Sequence, residues 1–160
     1  MSGAEDEYGA SERPRDEGGD APRLPVLRGL DELVELIEGR RGLYLRYSHG
    51  PAHDSGSLSL DYESGLELPG LSATVLDPEP WWRRPLADWL ARQVCKYAGI
   101  AEEGESRRAW ILAGRVTARG PDHEPLLVDV DPVAWLDGAV IREAHARYEQ
   151  RFDVGRDSTR

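Results

Sequence analysis

Cysteine is almost missing from this chain. Cys95 is the only one in 160 residues, so no internal disulfide can form, and such usage fits a reducing compartment. Lysine is equally scarce: Lys96 is the only one and every other cation is arginine, the pattern that codon bias in a GC-rich genome produces. No apolar run approaches the roughly 18–20 residues that cross a bilayer. The opening MSGAEDEYGASERPRDEGGD is polar and acidic, with neither the cationic start nor the apolar centre of a signal or transit peptide. A cytoplasmic protein without a membrane partner is expected. Positive charge is in deficit. The net charge is −10, and seven acids against three bases in the first 23 residues leave −6 for the rest. An acidic body lacks the footprint that phosphate backbones require, so bulk nucleic acid is not expected as a partner. Internal repeats, a P-loop and a Gly-x-Ser-x-Gly elbow are also missing, and no Gly-x-Gly-x-x-Gly follows a strand.

What is present is ordinary globular material, 39% hydrophobic and 31% charged, with five tryptophans as large packing units. Residues 1–23 contain too little apolar surface to offset the entropy of ordering, and residues 156–160 read the same way. Residues 24–155 therefore form the expected single domain. It opens with LDELVELIEG, where Leu30, Leu33, Val34 and Ile37 share a helical face. GLYLRYS follows as a strand, with Leu43, Leu45 and Tyr47 on one side and Tyr44, Arg46 and Ser48 on the other. GPAHDSGSLSLDYESG reads as a loop with one short strand near Ser57–Leu60, and LELPGLSATVL as a strand interrupted at Pro69-Gly70. RRPLADWLARQVCKYAG is the clearest helix, with Pro85 in the first helical position and Gly99 as the C-terminal cap. AWILAGRV and PLLVDV are strands. A last helix starts near Asp137 and buries Ile141, Ala144 or His145, Tyr148 and Phe152. The class is α+β, a mixed or antiparallel sheet with about three helices.

Four groupings could carry chemistry. Arg46, flanked by Tyr44 and Ser48, offers a fork of donors for a phosphate or carboxylate; the plain alternative is an arginine on a wet strand face. In RGPDHEP, Asp122 and Glu124 bracket His123 at the mouth of a strand, and Pro125 holds Glu124 extended. A polar turn is the simpler explanation. Ser72 and Thr74 in PGLSATV place two hydroxyls on one strand face, fit for a ribose or for water. His49, His53 and Asp54 lie in a Gly/Pro loop that no Cys or His pair completes, so no metal is expected. Cys95 sits in a helix without an adjacent base and reads as inert. Trp81 and Trp82 are either core or a patch for a protein partner.

LYLRYSHGP, DYESGLELPGLS, DPEPWW and RGPDHEPL together resemble a family of small actinobacterial proteins with no assigned activity. The order of elements also resembles the compact ADP-ribosyltransferases of the rifampicin-modifying kind. That resemblance implies NAD as cofactor, hence a nucleotide ligand. Arg46 would grip NAD, with Tyr44 and Ser48 beside it, Ser72 or Thr74 would meet the nicotinamide side, and Glu124 or Asp122 would be the catalytic acid. The departures are specific: no His-Gly-Thr on the first strand, no Ser-Thr-Ser, and Asp122-His123-Glu124 in place of Glu-x-Glu. An enzyme of this type would stabilise positive charge developing on the ribose as the nicotinamide bond breaks. The contrasting expectation is a non-enzymatic interaction or regulatory module.

Overall fold

The computed structural model describes residues 23–98 and 107–152. Of the disorder expected for residues 1–23 and 156–160, all but residue 23 falls outside them, as does the Gly99 cap. The architecture is α+β, as the order of elements implied. No helix among the described residues is long and apolar enough to cross a membrane.

Strand β1 (Val26–Leu27) is too short to show any periodicity and runs parallel to the end of β6 (Pro125–Leu136). Helix α1 (Leu30–Gly39) buries Leu30, Leu33 and Ile37, as the 3.6-residue spacing required. It has no side-chain cap of its own. A carboxylate oxygen of Glu143, from helix α4 (Gly138–Arg151), accepts the Leu30 N–H at 2.7 Å instead. Strand β2 (Tyr44–Ser48) leads into a one-turn helix α2 (Pro51–Asp54), where a loop was expected. The reversal after it holds a bridge between Leu60 and Glu67 in place of the strand expected near Ser57–Leu60.

Strands β3 (Leu71–Ser72) and β4 (Thr74–Val75) are two short pieces, as anticipated, but the break falls at Ala73 and not at Pro69-Gly70. The cause is a change of partner. β4 pairs with β2, β3 pairs with β6, and Ala73 donates its N–H to Pro125 O. Helix α3 (Leu86–Cys95) begins one residue later than expected, with Pro85 as the extended residue before it. The two apolar runs that follow become a long hairpin, β5 (Arg108–Arg119) and β6, twelve residues each. Both exceed their expected lengths: β6 runs on past Val130 because Pro132 is absorbed where the pairing register shifts, and β5 gains Ala118 and Arg119 by pairing with Leu126 and Pro125.

The hydrogen-bonded order is β1-β6-β5-β2-β4, and β3 returns to β6. Since β3 and β4 are joined through Ala73, the pairings β2–β5–β6–β3/β4–β2 close a small ring. Helices α1, α3 and α4 cover its outer face around Leu33, Leu45, Leu90 and Ile111. A smaller cluster of Ala73, Trp110, Leu112 and Leu127 occupies the opposite face. On α4 the buried positions are Val140 and Ala144. His145 is exposed, Ile141 half-buried, and Tyr148 and Phe152 stack on each other 4.9 Å apart, so the expected face is rotated. Trp89 is core, Trp82 half-buried and Trp81 exposed, the three rings lying 5.1–6.4 Å apart.

Candidate functional site

Arg46 points to the inner face of the ring, and its side chain is only 15% exposed. It is not on a wet surface. Its Nε donates to Asp54 Oδ2 at 2.7 Å, and Nη1 donates to Ser72 O at 2.8 Å and to Ser59 Oγ at 3.4 Å. Asp54 is supplied by the unforeseen one-turn helix and also accepts the Ser48 hydroxyl at 2.6 Å. Ser48 in turn accepts from Trp110 Nε1 at 2.9 Å and from Gly50 N at 3.1 Å. Burial alone would push the Asp54 carboxyl upward. Hydrogen bonds from Arg46, Ser48 and His53 and the charge of Arg46 outweigh it and hold the group below the ordinary aspartate range. The pair is an internal ion pair that fastens the 51–72 segment to β2.

On one side of this clamp the divergence of β3 from β2 opens a cleft of about 450 Å³. That volume suits a small ligand. Five residues read from the sequence line it: Arg46, Ser72, Thr74, Asp122 and Glu124. Tyr44 and Ser48 do not. Tyr44 packs on the Trp110 cluster, and Ser48 is buried within the clamp.

The turn between β5 and β6 places Asp122 and Glu124. Gly120 N donates to Glu124 O at 2.8 Å, His123 adopts a left-handed backbone with φ 65°, and Asp122 N donates to Glu124 Oε1 at 2.9 Å. Glu124 is thus a clasp for the turn and a wall of the cleft at once. The reversal at 58–68 forms the opposite wall with Leu60, Asp61, Tyr62, Glu63 and Leu68. Ser64 Oγ donates to Asp61 at 2.6 Å and lowers its pKa. Leu45 and Tyr47 of β2 also line the cleft, as does Tyr97, just beyond α3. Burial, then the charges of Asp122 and Glu124, raise its pKa, so its hydroxyl keeps its proton at neutral pH.

Asp61, Tyr62, Glu63 and Tyr97 were not among the expected site residues. A signal existed in LSLDYESGLEL, where Leu58/Leu60 and Leu66/Leu68 flank a Ser-Gly turn with hairpin alternation. Tyr97 carried no signal, because it continues the 3.6-residue spacing of Leu86, Trp89, Leu90 and Val94, which marks a core position.

Elsewhere the chemistry is quiet. Cys95 has its pKa pushed up to about 11, by burial first and then by Glu149, which leaves an unreactive thiol at neutral pH. His53 faces Asp54 at 3.5 Å. Among the described residues no three His, Cys, Asp or Glu side chains gather as metal ligands.

A family described as "Family of unknown function (DUF6098)" matches residues 20–159. The chain belongs to that family. In this DUF6098 chain the cleft, the clamp and the ring all lie within the matched residues. A second similarity is partial: 36% identity over 78 residues with a 1-deoxy-D-xylulose-5-phosphate synthase of Rhodococcus erythropolis (strain PR4 / NBRC 100887). It covers 47% of the DUF6098 chain and 11% of the synthase, so the chain spans a small fraction of that relative. No solved structure matches.

Proposed function

We propose that this chain is a binding module whose cleft takes an organic cation, an ammonium or guanidinium group. One observation carries the reading. Asp61, Glu63, Asp122 and Glu124 line the hollow, and the only cation among the described residues that line it, Arg46, is already neutralised by Asp54. Lys96, with Nζ 6.0 Å from the Tyr97 ring, is not part of the lining. The uncompensated charge therefore attracts cations and repels phosphates. Tyr62 and Tyr97 are also among the lining residues, and a cation seated over either ring would gain a further ~1 kcal/mol.

Calorimetric titration with agmatine, which carries both an amine and a guanidinium, tests this. Saturable binding that weakens with salt and drops about tenfold in Glu63→Gln/Asp122→Asn is expected. Absence of heat at millimolar agmatine refutes it.

A second reading is favoured by the convergence of Arg46, Ser72, Thr74, Asp122 and Glu124 on one cleft. As an ADP-ribosyltransferase-like enzyme the chain would bind NAD there and transfer ADP-ribose to an acceptor. Glu124 or Asp122 would face the positive charge that develops on the ribose. This reading asks Arg46 to hold a pyrophosphate while Nε and Nη1 stay on Asp54, Ser59 and Ser72. NAD in the same calorimeter separates the two. Nicotinamide release abolished by Glu124→Gln, with no agmatine binding, selects the transferase.

A further inference from the structure

Strand β2 has an unfinished edge, and the edge lies in the cleft. Leu43 O accepts from Leu76 N at 3.1 Å and Leu45 pairs with Thr74. Main-chain groups alternate sides along a strand, so on β2 those of residues 43, 45 and 47 face β4. Past Arg46 opposite Ala73, the next hydrogen-bonded pair in this register would be Tyr47 with Ser72. It does not form, because the chain turns at Ala73 and Ser72 pairs with Leu126.

The groups of Ser72 that would have met Tyr47 are taken by side chains. Ser59 Oγ accepts its N–H at 2.9 Å, and Arg46 Nη1 donates to its carbonyl. Tyr47 is left with no strand partner on that side among the described residues. Its phenol points the other way, into the helix-covered core, and donates to Val94 O at 2.6 Å. Tyr47 is among the residues that line the cleft, and with its ring turned into the core its main chain is the part left to face it.

A donor and an acceptor spaced as in a strand are what an extended peptide recognises by adding itself to a sheet. We propose that the ligand of this cleft is an extended peptide segment bearing an arginine or lysine. Its main chain continues the sheet at Tyr47, and its basic side chain reaches the carboxylates of Asp122 and Glu124. The peptide takes the place that Ser72 vacates. Charge complementarity selects a basic segment, since the cleft holds four carboxylates and a neutralised arginine. The exposed Leu60 and Tyr62 opposite provide apolar cover for its flanking residues. This inference rests on the cation reading above and adds the carrier of the cation.

The test uses the full chain, isotope-labelled, with three probes followed by NMR: acetyl-Thr-Val-Arg-Val-Thr-amide, the same peptide N-methylated at the arginine and second valine amides, and agmatine. The parent peptide should bind and slow hydrogen exchange of the Tyr47 N–H. Methylation should weaken binding about tenfold, the cost of one main-chain hydrogen bond. Agmatine should bind without changing Tyr47 exchange. A version with glutamate in place of arginine should not bind. If agmatine binds but the peptide does not, or methylation changes nothing, the peptide inference falls and the cation reading stands. If neither agmatine nor the peptide binds, both fall.

Discussion

At the scale of one residue, Arg46 shows how far a side chain can depart from what its position suggests. An alternating strand puts it opposite Leu45 and Tyr47, and that much follows from sequence. What it does there depends on Asp54, Ser59 and Ser72, which the fold brings to it. Removing the guanidinium leaves the Asp54 carboxylate buried with only a hydroxyl and an exposed histidine beside it. Arg46→Ala should therefore lose about 3 kcal/mol in urea denaturation. Arg46→Lys should recover only part of this, because one ammonium cannot hold both a carboxylate and a carbonyl in the same fork geometry. The pH dependence has a definite sign. The folded pKa of Asp54 lies below its unfolded value. Its contribution is complete above about pH 4 and disappears as pH falls through the depressed folded value. The gap in unfolding midpoint between wild type and Arg46→Ala should narrow below that pH. A gap that stays constant down to complete protonation would show that the ion pair contributes nothing.

Between elements the same device recurs, a charge donated across a long stretch of chain. Asp88 on α3 is fully buried and receives Arg147 at 2.7 Å and Arg151 at 3.3 Å from α4, with Arg84 at 3.2 Å from its own side. Glu143 on α4 caps α1 from 113 residues away. Glu143→Ala should cost about 1 kcal/mol, the usual value of a helix cap, and should release α1 before the rest in hydrogen exchange. Equal exchange along α1 in both proteins would refute the cap. These elements divide into what was legible and what was not. LDELVELIEG was readable because its apolar spacing is local, and Asp137 was readable as a cap because it accepts from Ala139, two residues on. Glu143 was unreadable as the α1 cap, since nothing near Leu30 names a partner at position 143. The face of α4 was misjudged for a related reason. Tyr148 and Phe152 look like core by spacing, but they pack against each other, half-buried, and Phe152 lies under Arg84.

At the scale of the whole molecule, the cleft is a consequence of ring closure. A strand that stayed paired with β2 beyond Thr74 would have filled the place where the cleft lies. The chain leaves β2 because Leu71 and Ser72 pair with Leu127 and Leu126, more than 50 residues on. Ser72, Thr74, Asp122 and Glu124 were readable as polar groups at strand positions, while their convergence depended on this pairing and could not be read. Gly70 makes the pairing close enough. A Cβ there would lie 2.9 Å from Leu126 C, Leu127 N and Leu127 O, all main-chain atoms that cannot yield as a flexible side chain would. Gly70→Ala should therefore push β3 off β6, lose about 2 kcal/mol, and weaken agmatine binding along with stability. Gly39→Ala is the control. A Cβ at the end of α1 meets nothing within 4 Å, and alanine there should be neutral or stabilising by up to about 1 kcal/mol. Chemical denaturation and calorimetry on the two variants decide the matter. If Gly70→Ala is as stable as Gly39→Ala and binds as wild type does, close approach of β3 to β6 is not what shapes the cleft.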